Sequence, residues 1–111
     1  MKKSLDQILG QELPLFIHRT GAWKDFPAGF FKWLTLNDHI WREFESKARA
    51  MAVLARRQRY SARTIIEVMR WNSDIRQNNK LFKISNNMVP GLARLWMLKY
   101  GNEHPKFFQL K

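Results

Sequence analysis

The feature that most constrains the fold is a run of apolar residues at helical spacing in the middle of the chain. Apolar side chains recur every three or four residues from Ile40 to Ala55, and charged residues occupy many of the positions between them. This spacing favours one long amphipathic helix, which we predict over residues 38–58 with Asn37 as its N-cap. Acidic residues lie towards its start and cations towards its end, as the helix dipole favours.

Two more helices are expected after this one. Ser61 is a suitable cap for a helix over 62–76, and Asn86 and Asn87 precede a helix over 88–100. The inward faces of the three helices supply the predicted core. Its central residues are expected to be Phe44, Met51, Ile65, Val68, Trp96 and Met97.

Two short segments are predicted as strands, the first because the residues from Leu81 to Ile84 alternate in polarity. They are Phe82–Ile84 and Phe107–Leu110, and we expect them to pair because neither is stable alone. The predicted fold class is therefore α+β, mainly α: a three-helix, helix-turn-helix-like core with a small two-stranded β element. The basic helical domain is assigned to residues 37–111.

The N-terminal segment, residues 1–36, has a different character. We predict a short helix over 4–12 and then an irregular, aromatic-rich arm over 13–36, which Pro and Gly interrupt. The arm either packs its rings on the domain or offers them to a partner, and we favour packing. The rings that a partner would contact are those of Trp23, Phe26, Phe30 and Trp33.

Charge is the strongest indication of function. The 111 residues include 20 Lys and Arg against nine Asp and Glu, for a net charge of +11 and a pI of about 10.6. Such an excess repels itself in a compact fold, and a polyanion relieves that repulsion while counterions are released. The expected partner is DNA or RNA, bound directly or within a host protein complex.

Several function classes are disfavoured. The chain has no Cys, its three His are far apart, and it contains no Gly-rich phosphate loop and no nucleophile motif. We therefore predict a non-enzymatic protein without cofactor, metal site or small-molecule substrate. No apolar run reaches about 18 residues, and polar residues interrupt any signal-like segment, so the expected location is the cytoplasm, away from membranes.

A basic surface is predicted from the turn between the first two long helices to the third. The candidate nucleic-acid-binding residues are Arg56, Arg57, Arg59, Arg63, Arg70, Lys83, Asn86, Asn87, Arg94 and Lys99. Two alternatives stay open. Arg63 and Arg70 either contact phosphates or pair with the acidic residues that alternate with them, and the two asparagines either read adenine or merely cap a helix.

Four blocks of the sequence carry a resemblance to a known family. They are Asn37-Asp38-His39-Ile40-Trp41, Tyr60 to Trp71 (YSARTIIEVMRW), Phe82 to Asn87 (FKISNN), and Ala93-Arg94-Leu95 with the late Pro105 and Phe107-Phe108. Over residues 37–111 the chain resembles a widespread family of small proteins from bacteria and their phages, for which no activity is settled. Met88 stands where the family usually has Tyr, and Lys111 where Arg is common. The resemblance implies a phage or prophage setting and does not cover the aromatic arm.

Two functions follow as hypotheses. The first is a DNA-binding accessory or regulatory protein, which the charge and the basic turn favour. The alternative is a phage-encoded, anti-CRISPR-like inhibitor that binds a host defence or transcription nucleoprotein complex, which the phage setting and the aromatic arm favour. A basic protein at an anionic membrane is a weaker third, because the cations are spread over a folded domain.

Overall fold

A computed structural model of the chain describes residues 4–55, 60–76, 86–105 and 107–108. Helices make up most of these residues. The α-helices are α1 (Leu5–Leu9), α2 (Glu12–Thr20), α3 (Phe30–Leu36), α4 (Asp38–Ala55), α5 (Ala62–Arg76) and α6 (Val89–Tyr100), and two 3-10 turns cover Ala22–Asp25 and Asn86–Met88. None of the helices in this part of the chain combines the length and the apolar character needed to cross a bilayer.

The N-terminal segment is helical, so the prediction of an irregular arm over 13–36 was wrong. Pro14 lies in the first turn of α2, where its missing N–H group costs no hydrogen bond. Gly21 ends α2 in the left-handed conformation, with φ of 74° and its N–H bonded to the His18 carbonyl. Gly29, with φ of 75°, leads into α3. The residues that suggested irregular chain instead mark the ends of short helices.

The prediction of a single helix over 4–12 also failed. The first helix stops at Leu9, since Gly10 takes a positive φ of 90°, and a new helix begins at Glu12. Ser4 caps α1 as part of a capping box with Gln7.

The long helices lie close to their predicted positions. α5 has the predicted bounds, α6 begins one residue later than expected, and α4 is described as far as Ala55. Asn37 precedes α4 as predicted, and its side-chain amide donates to the carbonyl of Trp33 at 2.9 Å, closing the end of α3.

The two-stranded β element is not observed, and the fold class is corrected to all-helical over the described residues. The predicted strand Phe82–Ile84 lies outside them. At the other segment, the Tyr60 N–H donates to the Phe107 carbonyl at 2.8 Å, and Tyr60 and Phe108 form an isolated parallel bridge. Phe107 and Phe108 are both buried, whereas a strand on the surface of a core would bury only alternate residues. They therefore act as core residues.

One apolar core joins the N-terminal helices to the three long ones. It includes Leu9, Ile17, Phe30 and Leu34 from the first 36 residues together with residues of α4, α5, α6 and the C-terminal segment. Of the predicted core, Phe44, Ile65 and Trp96 are buried, and Met51 and Met97 are partly buried. The prediction for Val68 was wrong, because 45% of this residue is exposed.

Close packing at Gly91 fixes α3 against α6. A Cβ atom at this position would lie 2.5 Å from two carbons of the Phe30 ring, so only glycine allows this approach. Phe30 in turn contacts Phe26, Phe31 and Trp33. The aromatic N-terminal residues thus cover one side of α6.

Candidate nucleic-acid interface

The start of α5 is held firmly on the core. Tyr60, just before the helix, stacks on Phe107 with centroids 5.8 Å apart and an interplanar angle of 8°, in addition to the backbone hydrogen bond between them. Arg63 lies in the first turn of α5 and is exposed. Its guanidinium therefore extends into solvent from a fixed element. The predicted residues Arg56, Arg57 and Arg59, and likewise Lys83, lie outside the described residues.

Two of the predicted residues, Arg70 and Asn86, are brought together. The Arg70 guanidinium donates from Nη1 to Glu67 Oε1 at 2.8 Å and from Nη2 to Asn86 Oδ1 at 3.1 Å. This arginine ties α5 to the turn that precedes α6. The Glu67–Arg70 pair is the mutual pairing that the alternating charges of α5 allowed, so part of the Arg70 charge is satisfied within the chain.

The two asparagines stand in the 3-10 turn before α6, and both are exposed. The N-cap of α6 is Met88, and no side chain there makes a capping hydrogen bond. Asn86 uses its carbonyl oxygen to hold Arg70 instead. Base recognition by either asparagine stays a prediction.

Lys99 lies apart from this group, on the contact between α4 and α6. Its Nζ bonds to Glu45 Oε2, which also accepts a hydrogen bond from the Tyr100 hydroxyl at 2.7 Å. The Arg49 guanidinium lies 5.1 Å from the centroid of the Tyr100 ring. Burial and the hydrogen bond to Glu45 raise the pKa of Tyr100 to about 12.

This group of residues, which we call the Glu45 cluster, comprises Glu45, Arg49, Lys99 and Tyr100. Only Lys99 was among the predicted site residues. Glu43, two residues before Glu45 on α4, points away from this cluster and pairs with Lys47 at 3.6 Å. No local pattern links Glu45 to residues 54 and 55 positions later. The ion pair occupies the Lys99 ammonium and connects two helices.

Arg94 is half-buried on α6. Apart from the exposed Pro90 and Lys99, α6 is buried or half-buried along its length, which leaves it little outer surface. The side chain of Arg94 is therefore less exposed to solvent, and less accessible to a phosphate, than that of Arg63.

The aromatic residues proposed for partner binding divide into two kinds. Phe26 and Phe30 are buried, and Trp33 is half-buried against Phe30. Trp23 is 50% exposed, and the Lys24 ammonium lies 5.7 Å from its ring centroid. Sequence reasoning missed a second exposed indole, that of Trp71 on α5.

The surface contains two notable concavities. A cleft of about 790 Å³ lies between α6 and the α1–α2 segment, with Phe16, Met97 and Lys99 among its lining residues. A smaller groove of about 190 Å³ runs between α4 and α5, beside Met51 and Val68. Within the described residues, no three His, Asp or Glu side chains come together as metal ligands would.

Comparison with known proteins adds no relative. No protein family, no curated protein and no solved structure matches the chain.

Proposed function

We propose that this chain is a small nucleic-acid-binding protein that contacts phosphates through the basic surface at the junction of α4 and α5. The observation that carries the proposal is the net charge of +11 on a compact helical domain. Binding to a polyanion relieves the mutual repulsion of these cations and releases counterions.

The placement of the acidic residues supports this proposal. Four carboxylates each lie beside a cation of the chain: Asp38 with Arg42, Glu43 with Lys47, Glu45 with Lys99 and Glu67 with Arg70. They are spread over α4 and α5 and form no acidic face that would repel a phosphate backbone. Each of these four carboxylates is balanced by a neighbouring cation, and the chain as a whole keeps a net charge of +11.

The junction of α4 and α5 is the favoured contact because four arginines fall within eight residues there. Arg56, Arg57 and Arg59 follow α4 in the sequence, and Arg63 is exposed in the first turn of α5. The packing of Tyr60 on Phe107 holds the start of this helix in place. A rigid support reduces the entropy that is lost when a side chain binds a phosphate.

The role we assign is that of a DNA-binding accessory or regulatory protein of phage or prophage type, without enzymatic activity. The setting rests on the sequence resemblance over residues 37–111. Asn86 and Asn87, both exposed beside Arg70, are the residues proposed to add sequence preference.

The test compares two triple variants with the same change of net charge. Arg57→Glu, Arg59→Glu and Arg63→Glu remove the proposed contact, and Arg19→Glu, Lys24→Glu and Lys32→Glu change exposed cations of the N-terminal helices. Duplex DNA is titrated between about 50 and 200 mM salt. We expect the first variant to bind more weakly and to lose about 0.9 of log–log salt slope per phosphate contact removed, and the second to lose less. Equal losses in both variants would reduce the proposal to a general charge effect.

A second candidate function is inhibition of a host nucleoprotein complex through a protein contact. The observation that favours it is the exposure of Leu15, Phe16 and Trp23 on the N-terminal segment, each of which is about half or more exposed. Affinity purification from host cells, with and without nuclease, separates the two functions. A protein partner that persists after nuclease treatment supports inhibition, and recovery of nucleic acid alone supports the first proposal.

A further inference from the structure

Trp71 lies on the outer face of α5 and is 66% exposed. The buried face of this helix is formed by Ile65, Ile66 and Met69. With 100° of rotation per residue, Trp71 is separated from each of these three residues by 120° to 160° around the helix axis. The indole is therefore directed into solvent, and no rotamer change would return it to the core.

The other four tryptophans differ from Trp71 in their surroundings. Trp41 and Trp96 are fully buried, and Trp33 is half-buried in the N-terminal aromatic group. Trp23 is exposed but carries the Lys24 ammonium over its ring. Trp71 makes no aromatic or cation–π contact with another of the described residues, and 66% of it is exposed.

The surroundings of Trp71 carry positive charge on one side. Arg63 and Arg70 are seven residues apart and therefore share one edge of α5. Arg63 lies eight residues before Trp71, which corresponds to about 12 Å along the helix axis. Glu67, four residues before Trp71 on the helix, is bonded to Arg70 at 2.8 Å, so its charge is balanced locally.

We propose that Trp71 is a stacking platform for an unpaired base of single-stranded nucleic acid, with Arg63 contacting the phosphate backbone beside it. This inference rests on the proposed function and adds a single-stranded ligand to the duplex DNA considered there. A duplex exposes only the edges of its bases in the grooves, whereas a single strand offers their faces to an aromatic ring. Stacking tolerates any sequence, because every base has a π face.

The test measures fluorescence anisotropy of a labelled single strand of roughly 20 thymidines, the matching RNA of uridines, and a duplex of the same length. Wild type is compared with Trp71→Ala, Trp71→Phe and Trp23→Ala. The Trp23 variant is the matched control, because it removes an exposed indole whose ring already has a cation neighbour. Unchanged thermal unfolding of Trp71→Ala establishes that the fold is intact.

We expect Trp71→Ala to weaken single-strand binding by about 5- to 160-fold, the range that loss of one stacked base gives. Trp71→Phe should retain most of the affinity for the single strand, and Trp23→Ala should bind it as tightly as wild type. The affinity for the duplex should be the same in all variants. Comparing the affinities for the DNA and the RNA single strand identifies which of the two is preferred.

Three results would overturn the inference. If Trp71→Ala binds both single strands as tightly as wild type does, Trp71 has no stacking role, and the proposed function is unaffected. Equal losses on single strand and duplex make Trp71 a general part of the surface. A dimer in sedimentation that Trp71→Ala dissociates assigns this face to a second copy of the chain. If wild type binds neither single strand nor duplex, the proposed function fails as well.

Discussion

Helices α5 and α6 are neighbours of similar length, but they are constrained in very different ways. α6 is surrounded: Phe30 packs on Gly91, Trp96 contacts Phe107 and Phe108, and most of its residues are buried. α5 buries one face and directs Trp71 outward. The residues of α6 are thus explained by packing, whereas those on the outer face of α5 need another explanation. The comparison separates residues that maintain the fold from residues that are free to serve a ligand.

The largest effect is expected from Trp96→Ala on α6. Trp96 is fully buried and lies within 5.3 Å, between ring centroids, of Tyr100, Phe107 and Phe108. Its removal should lower the free energy of unfolding by about 3–5 kcal/mol, through lost transfer energy and the cavity left behind. Urea denaturation measures the change. A loss below about 1 kcal/mol would show that α6 is less constrained than its packing indicates.

Gly91→Ala should have the next largest effect, about 1–3 kcal/mol of destabilisation. Alanine is the better helix former by about 1 kcal/mol, so any loss must come from the contact with the Phe30 ring. A double-mutant cycle with Phe30→Leu checks this, since the smaller residue should relieve the clash and make the two changes non-additive. Stabilisation by Gly91→Ala would contradict the close packing of α3 on α6.

Tyr100→Phe tests the polar contact of α6 with α4. Loss of the hydrogen bond to Glu45 should cost about 1 kcal/mol at neutral pH. The pKa of Tyr100 rises from 10.0 to about 12 on folding, so the folded chain holds this proton more tightly. The resulting stability is complete below pH 10 and is lost as the pH rises towards 12.

Equilibrium unfolding at several pH values measures this dependence. The stability of wild type relative to Tyr100→Phe should fall between pH 10 and 12, because only wild type has a phenol to titrate at this position. A constant difference from pH 9 to 12 would show that burial and the hydrogen bond to Glu45 do not raise the pKa of Tyr100 on folding.

The smallest effect on stability is expected from Trp71→Ala on α5. With 66% of the residue exposed, its truncation should change the free energy of unfolding by no more than about 0.5 kcal/mol. Thermal and urea unfolding provide the measurement. A loss above about 2 kcal/mol would mean that the indole packs on the protein, and the contrast between α5 and α6 would disappear.

The long helices could be predicted because their apolar residues repeat with a local period. The N-terminal helices were missed because Pro14, Gly21 and Gly29 were taken as signs of irregular chain. Each of them is compatible with a helix end, and sequence alone does not distinguish a helix boundary from a loop. The error concerned where short helices start and stop.

Phe107–Leu110 was predicted as one of two paired strands. Phe107 and Phe108 are instead both buried against Trp96, a contact that depends on three-dimensional packing. The predicted buried face of α5 also included Val68, which is exposed. At the edge of an amphipathic helix, burial depends on how closely the neighbouring helix approaches.

The candidate site was predicted in part. The Glu67–Arg70 pairing follows from a spacing of three residues. The bond from Arg70 to Asn86 does not, because it joins residues 16 positions apart. In the Glu45 cluster, Glu45 and Lys99 are 54 positions apart, so the sequence alone could not show that this lysine holds two helices together.

The connection from Glu45 to Tyr100 also has a kinetic consequence. These residues are 55 positions apart, and the contact forms only after the intervening chain has brought α6 back to α4. The entropy of closing so long a loop is lost before the contact forms. We therefore expect folding to be slower than in helical bundles of local contacts, which fold in microseconds to milliseconds. Stopped-flow refolding, followed by the fluorescence of the five tryptophans, measures this folding rate.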